Sequence, residues 1–317
     1  MENTNDVISL CYIIIVGIFI FILLCVHFYY KRSRIRLPNN FCMRHGFLEK
    51  VIPALRRIVT YPCERVYLDF SQVENMTEGT YMVLLAQVEK AFEEKHKEVY
   101  IFNKLPKSKD VLNILGKPKK VKHQNIRITS DVLPKAETNQ KIDTEFIDEL
   151  VVELRKIGIN DYYMPFYDFL IELIGNAVEH GIQSKKINWW LLRYRSPQNK
   201  GMTYVFVDMG IGIISSYRKS GLLRKYSFMD AKQIPLDALY GRLGSSTRQT
   251  NRGRGLPQIR EIIEKGYISN FVLITNNVSL RYENGEFDVS KNPNFVGTFF
   301  SWTINKENFI QWKSSKS

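Results

Sequence analysis

The sequence has few cysteines, and none of them is spaced as a metal ligand or as a redox pair. Cys11, Cys25, Cys42 and Cys63 lie far apart, which excludes the usual zinc and CxxC motifs. We interpret all four as reduced or structural, as is typical of cytosolic protein. The chain also lacks internal repeats, low-complexity tracts and nucleic-acid-binding motifs, so no nucleic-acid partner is expected.

Charged residues are absent from one long stretch near the N-terminus. Residues 8–30 contain no Asp, Glu, Lys or Arg, and a helix of this length is roughly 34 Å long, enough to cross a hydrocarbon core of about 30 Å. The basic run KRSRIR follows at 31–36, so the positive-inside rule predicts a single-pass cell-membrane anchor with a cytoplasmic body. The basic start and small-residue cleavage site of a signal peptide are missing. A buried helix of a soluble domain is the remaining alternative.

The composition of the rest of the chain is that of folded protein with excess positive charge. Of 317 residues, 44% are hydrophobic and 24% are charged, which suits about two ordinary domains. The formal net charge of +13 favours anionic partners such as a nucleotide or an anionic membrane surface.

We divide the chain into an anchor with its basic flank (1–37), a small α/β domain (40–122), a connector (123–140), a longer domain (141–307) and a tail (308–317). In the first domain, strand patterns at 65–70 and 98–103 alternate with helix patterns at 79–95 and 108–115, and Ser108 is a suitable helix cap. Strands that alternate with helices indicate a sheet covered by helices.

The longer domain is predicted to be α+β. Helices precede a mostly antiparallel set of strands, which is the pattern of that class. The predicted helices are 144–158, one around the motif ELIGNAVEHG (172–181), and 256–266; the predicted strands are 187–195, 202–210, 270–277 and 297–304; a Gly- and Arg-rich loop covers 241–255.

The motif ELIGNAVEHG joins a buried helix face to a polar one. Leu173 and Ile174 belong to the apolar face, whereas Glu172 and Asn176 are spaced i, i+4 and therefore project side by side from another face. A carboxylate can deprotonate a water or a hydroxyl, and an amide oxygen is a suitable Mg²⁺ ligand. Taken alone, the pair is more typical of a solvated helix face.

Three glycine-containing motifs follow. In DMGIG, Asp208 ends an apolar strand, and a carboxylate there can accept a hydrogen bond from the adenine amine while the adjacent glycines allow close approach of the base. GRGLPQI runs into a helix N-terminus, which favours phosphate binding. GTFF opens a strand near the C-terminus with Gly297 and Thr298.

In this order, ELIGNAVEHG, DMGIG, GRGLPQI and GTFF resemble the N box and the three glycine boxes of the GHKL ATPases, over about residues 140–305. The form NAVEHG is most similar to the anti-sigma-factor serine kinases. The resemblance implies an α/β sandwich that binds ATP and Mg²⁺. It implies the following roles: Glu172 as general base, Asn176 as Mg²⁺ ligand, Asp208 as the adenine-reading residue beside Gly210 and Gly212, Gly253 and Gly255 as phosphate-contacting glycines, and Thr298 as a support of the adenine site.

Two departures from that family pattern qualify the resemblance. Arg252 and Arg254 flank Gly253 in place of a third glycine, and they are candidates for phosphate contact or simply solvated loop residues. No histidine lies in a long dimerising hairpin, so an autophosphorylating histidine kinase is disfavoured.

Residues 65–103 resemble a STAS domain, the fold of anti-anti-sigma factors. The resemblance implies a phosphorylation switch at a Ser or Thr that precedes a glycine at a helix N-terminus. Here Glu78 precedes Gly79, and its carboxylate would mimic the phosphorylated state unless the switch is lost. Thr77 and Thr80 are nearby candidates for phosphorylation, although helix capping alone would explain them.

We therefore expect a membrane-anchored ATP-binding signalling protein. The leading expectation is a serine/threonine kinase of the anti-sigma type, acting on a STAS-type partner, another regulator, or its own STAS-like unit. The alternative is an ATP-hydrolysing or ATP-binding switch that controls a protein interface without kinase activity. Assembly as a homodimer is left open.

Overall fold

The computed structural model describes residue 12 and residues 14–26, 34–102, 106–115, 126–127, 144–182, 189–196, 200–219, 228–243 and 255–316. Within these ranges the fold is α+β, as predicted. The helices are α1 (14–26), α2 (Leu48–Thr60), α3 (Glu78–Lys95), α4 (Lys109–Leu115), α5 (Thr144–Val152), α6 (Met164–Ile182), α7 (Ile213–Lys219), α8 (Gln233–Leu239), α9 (Gly255–Glu264) and α10 (Lys306–Ser314), with a 3-10 turn at Glu153–Ile157.

The described strands form three sheets. The first has the order β1-β3-β5-β6, parallel except for β6; the second has the order β7-β8-β10-β9 and is antiparallel; β2 and β4 form a short parallel pair. The strands are β1 (Arg34–Arg36), β2 (Asn40–Phe41), β3 (Arg65–Asp69), β4 (Asn75–Met76), β5 (Glu98–Ile101), β6 (Ile126–Arg127), β7 (Trp189–Ser196), β8 (Gly201–Asp208), β9 (Ser269–Glu283) and β10 (Glu286–Ile304).

Most predicted elements of the first α/β unit are present, and one large helix was missed. The Ser108 hydroxyl accepts from the Val111 amide at 3.5 Å, which matches its expected role as a cap of α4. Helix α2 was not predicted, although Leu48, Val51 and Leu55 recur at helical spacing and are buried. Pro53 within this run weakened the helical pattern, because proline is uncommon inside helices.

The antiparallel sheet β7-β8-β10-β9 is covered on both faces. Alternate residues of a strand point to opposite faces. In β8, Tyr204 and Phe206 belong to a core shared with α5, α6 and α9, whereas Val205 and Val207 belong to a core shared with α2 and α3. The N-terminal unit therefore packs on the back of this sheet and shares a hydrophobic core with it.

Three segments assigned to an anchor, a connector and a tail contain regular structure. Arg34–Arg36 of the basic flank form edge strand β1, and Arg34 Nε donates to the buried Asp69 carboxylate at 2.9 Å. Ile126–Arg127 of the connector pair with β5. The expected tail begins inside α10, which is fixed by the buried Trp312. Local composition did not predict these pairings because each depends on a partner distant in sequence.

The predicted transmembrane helix at 8–30 is described only in part. Residue 12 and residues 14–26 are helical, and their side chains are exposed; the other residues of that run lie outside the described ranges. Among the residues that the structure describes, no helix has both the length and the hydropathy needed to cross a membrane.

Candidate functional site

Helix α6 carries the first two predicted site residues. Its apolar face, including Leu173, Ile174 and Ala177, is buried against the sheet, which confirms the buried helix expected from ELIGNAVEHG. Glu172 and Asn176 lie on the other side of the helix and are half-buried. Asn176 Nδ2 is inaccessible to solvent and has no hydrogen-bond partner among the described residues.

Sequence reasoning missed Asp168, which lies one turn before Glu172 on α6. Burial raises the pKa of Asp168. Burial, and then the negative charge of Asp168, raise the pKa of Glu172 above its ordinary value. A carboxylate with a raised pKa is a stronger base than a solvated one, which suits proton transfer at Glu172.

Gly255 brings the start of helix α9 against this polar face. A Cβ added at Gly255 would lie 2.6 Å from Glu172 Oε2 and 3.2 Å from Asn176 Nδ2. A side chain at this position would therefore displace Glu172, which gives a physical reason for glycine here. Two motifs distant in sequence thus meet at one point, where the positive end of the α9 dipole adjoins the carboxylate and the amide.

Asp208 is the last residue of β8. Burial raises its pKa to about 6, against the opposing effects of a hydrogen bond from Gly210 and of the Lys90 charge. The Gly210 amide donates to Asp208 Oδ1 at 2.9 Å. By strand alternation Asp208 shares the face of Tyr204 and Phe206, which is the face that α6 covers.

The strand register brings Thr298 beside Asp208. Thr298 of β10 pairs directly with Asp208 of β8 and with Thr275 of β9, and both threonines are buried. Gly297 precedes it with φ +112°, and a Cβ there would lie 2.1 Å from the Asp208 carbonyl oxygen. Only glycine allows this approach. The contact with Asp208 therefore explains why the motif GTFF begins with glycine.

Two further residues missed by sequence reasoning hold the turn after Asp208. Thr275 Oγ1 accepts from the Ile213 amide at 2.9 Å. Asn276 Nδ2 donates to the Ile211 carbonyl at 2.9 Å, and a Cβ on Gly212 would lie 2.5 Å from Asn276 Oδ1. Asn276 has φ +50°, a conformation that asparagine adopts more readily than most residues. The available signal was an Asn near the end of the predicted strand 270–277, a position that lies inside β9.

Part of the predicted phosphate-binding loop lies outside the described residues. This applies to Arg252, Gly253 and Arg254, so their roles stay predictions. The part of the chain that the structure describes contains no group of three or more His, Cys, Asp or Glu side chains able to hold a metal. The Mg²⁺ site expected at Asn176 needs no such group, because Mg²⁺ usually keeps several waters and binds substrate phosphates.

A cavity of about 180 Å³ lies elsewhere, between α2, α3 and β10. Its walls include Leu55, Gln87, Lys90 and Phe295. Because Phe295 belongs to the core shared with the N-terminal unit, this cavity is on the opposite face of the sheet from Glu172 and is separate from the candidate site.

The predicted switch residues of the N-terminal unit lie at its contact with the sheet. Thr77 caps α3 and accepts from the Thr80 amide at 3.3 Å. Thr80 is fully buried, and its hydroxyl accepts from the Met43 amide at 2.8 Å. The capping interpretation accounts for Thr77, whereas the Thr80 hydroxyl is bound to the Met43 amide, and Thr80 is inaccessible to a phosphate donor in this arrangement.

No protein-family model and no curated protein matches this sequence.

Proposed function

We propose that this chain is a membrane-anchored, ATP-binding signalling protein whose nucleotide site is formed by α6, the end of β8 and the start of α9. The observation that carries the proposal is the contact of Gly255 with Glu172 and Asn176. It assembles a carboxylate, an amide whose nitrogen has no partner among the described residues, and a helix N-terminus, which together suit a phosphate chain and its metal. The GHKL-type sandwich is the architecture that we assign to this domain.

The residues present fit Mg²⁺ and the phosphates. Asn176 is half-buried, its Nδ2 has no hydrogen-bond partner among the described residues, and a 180° turn of the amide exchanges the positions of nitrogen and oxygen, so that the oxygen can bind a cation. When bound, Mg²⁺ would neutralise phosphate charge. Glu172, with its raised pKa, would take the proton from an attacking hydroxyl or water.

Asp208 supports adenine as the base. Asp208 is half-buried next to a tight glycine turn, and one of its carboxylate oxygens accepts from the Gly210 amide. A carboxylate that is partly removed from water and has a remaining acceptor position favours an amine donor. Adenine offers such an amine, whereas guanine would direct a carbonyl oxygen toward the carboxylate.

We also propose that residues 8–30 anchor the protein in the cell membrane with the body in the cytoplasm. The support is the uncharged length of the run and the exposure of its described helical residues. The basic residues that follow favour a cytoplasmic body.

The leading activity is serine/threonine kinase activity on a separate protein, with a STAS-type regulator as the candidate substrate. Within the chain's own N-terminal unit, the burial of Thr80 opposes transfer to that residue, whereas Thr77 is half-buried and stays a candidate. The same docked arrangement favours the second candidate, a conformational switch driven by ATP binding or hydrolysis, because the unit lies against the sheet that carries Asp208.

Calorimetry on the full-length protein in detergent tests the site. ATP should bind more tightly than GTP, and Asp208→Asn should weaken ATP binding by roughly 1–3 kcal/mol, the cost of leaving a buried polar group without its proper partner. Equal affinities for ATP and GTP would contradict the assignment.

Radiolabelled ATP then separates the activities: label on a protein indicates a kinase, and released phosphate indicates an ATPase. Nucleotide binding with neither product indicates a binding switch.

A further inference from the structure

Lys90 of α3 is a half-buried cation that reaches the residue after Asp208 from the other side of the sheet. Its side chain is 13% exposed, and its ammonium donates to the Met209 carbonyl oxygen at 3.0 Å. A charge that is largely removed from water needs a polar partner. The half-exposed Glu94 carboxylate, 3.6 Å away, offers only a weak surface interaction, so the Met209 carbonyl is the better-defined partner.

The position of α3 is set by a close contact at its start. A Cβ on Gly79 would lie 2.8 Å from Val205 Cγ2, so the helix backbone lies directly on β8. Further along α3, the buried Gln87 directs its amide at Met209 Sδ at 3.4 Å, a weak contact. Lys90 is one turn beyond Gln87, which brings its ammonium to the end of β8.

Met209 is the residue that links this contact to Asp208. Its side chain faces the N-terminal unit, and it directly follows the carboxylate that faces α6. Thr275 and Asn276 hold the later part of the turn at Ile211 and Ile213. The Lys90 hydrogen bond adds a contact at the first residue of the turn, directly after Asp208.

We propose that Lys90 is a positioning residue of the nucleotide site, so that the N-terminal unit forms part of the base-binding half of that site. This inference rests on the function proposed above. It adds that base recognition depends on α3 being docked. A partner that moves α3 away from β8 would thereby loosen the turn at Asp208 and weaken ATP binding, with no contact to the nucleotide.

The test compares full-length wild type with Lys90→Met, which keeps much of the apolar stem and removes the donor. Lys95→Met is the matched control, because Lys95 lies on the same helix and is exposed. Lys90→Arg keeps the charge and a donor. Hydrogen–deuterium exchange is measured without nucleotide, and ATP and GTP affinities are measured by calorimetry.

We expect faster exchange confined to the segment around residues 209–213 in Lys90→Met, and ATP affinity about tenfold lower, the effect of losing a hydrogen bond from a charged donor. Discrimination between ATP and GTP should shrink. Lys95→Met should match wild type, and Lys90→Arg should recover most of the affinity.

The inference is overturned if exchange at this turn is unchanged in Lys90→Met, or if exchange rises evenly over the whole chain. It is equally overturned if Lys95→Met has the same effect. Because the exchange experiment needs no nucleotide, it judges the role of Lys90 even if the wild type fails to bind ATP, a result that would refute only the proposed function.

Discussion

Replacing Gly255 by alanine tests whether the start of α9 and the polar face of α6 serve one ligand. The added Cβ would lie 2.6 Å from Glu172 Oε2, whereas ordinary van der Waals contact begins at 3.4 Å. Glu172 must therefore withdraw from the α9 N-terminus. Because the obstructing atom is the end of a flexible side chain, the carboxylate can move while the backbone stays in place.

The expected effects on stability and on function differ in size. Overpacking costs about 1–3 kcal/mol when neighbours cannot move, but here Glu172 can move, and alanine regains up to about 1 kcal/mol of helix propensity. The thermal unfolding midpoint should thus stay within about 4 °C of wild type. Turnover of ATP should fall about 10²-fold, as is usual when a catalytic group is displaced by about 1 Å.

The assay is a double-mutant cycle with Glu172→Ala, read out as ATP affinity by calorimetry and as unfolding midpoint. In the Glu172→Ala background the added methyl group meets no carboxylate, so Gly255→Ala should cost clearly less affinity than in wild type. Additive effects would show that the two residues do not meet at the ligand. Loss of many degrees in midpoint with unchanged turnover per folded molecule would likewise refute the reasoning.

Four further outcomes are expected. Glu172→Gln should leave ATP binding intact and lower turnover by about 10²–10⁴-fold, whereas Asn176→Ala should reduce the Mg²⁺-dependent part of ATP affinity in calorimetry. ATP affinity should fall as the pH drops through about 6, because protons then compete for the Asp208 carboxylate whose pKa is about 6; Asp208→Asn should lack this component. Protease added to intact spheroplasts should leave the body from Lys31 onward undigested.

Each of these has a contrary result. If Glu172→Gln turns over ATP at the wild-type rate, Glu172 is not the general base, and α6 contributes only to nucleotide binding. If the Mg²⁺ dependence of ATP affinity is unchanged in Asn176→Ala, Asn176 is not a ligand of the metal. If ATP affinity depends on pH in the same way in wild type and in Asp208→Asn, the titrating group is the nucleotide or another residue, and not Asp208. Digestion of the body without lysis would reverse the proposed orientation.

Local pattern was sufficient for most elements that lie near the candidate site. Apolar residues at helical spacing predicted α6 and α9, and apolar runs predicted β8 and the last part of β10 (297–304), because burial leaves a pattern in the sequence. The earlier part of β10, from Glu286, was not predicted. The motif residues Glu172, Asn176 and Asp208 were found from the sequence because each stands at the end or on the polar side of such an element. Short strands such as β1 and β6 left no signal of this kind.

What only the tertiary structure decided are the contacts between elements distant in sequence. The approach of Gly255 to Glu172, the register of Thr298 beside Asp208, and the hydrogen bond of Lys90 to Met209 all depend on how faces pack. Strand β8 is buried on both faces, but no periodicity identifies which helix covers the second face. The helix that packs there is determined by how well its surface fits the strand, as at the close contact of Gly79 with Val205. This fit involves residues distant in sequence and exists only in the folded chain.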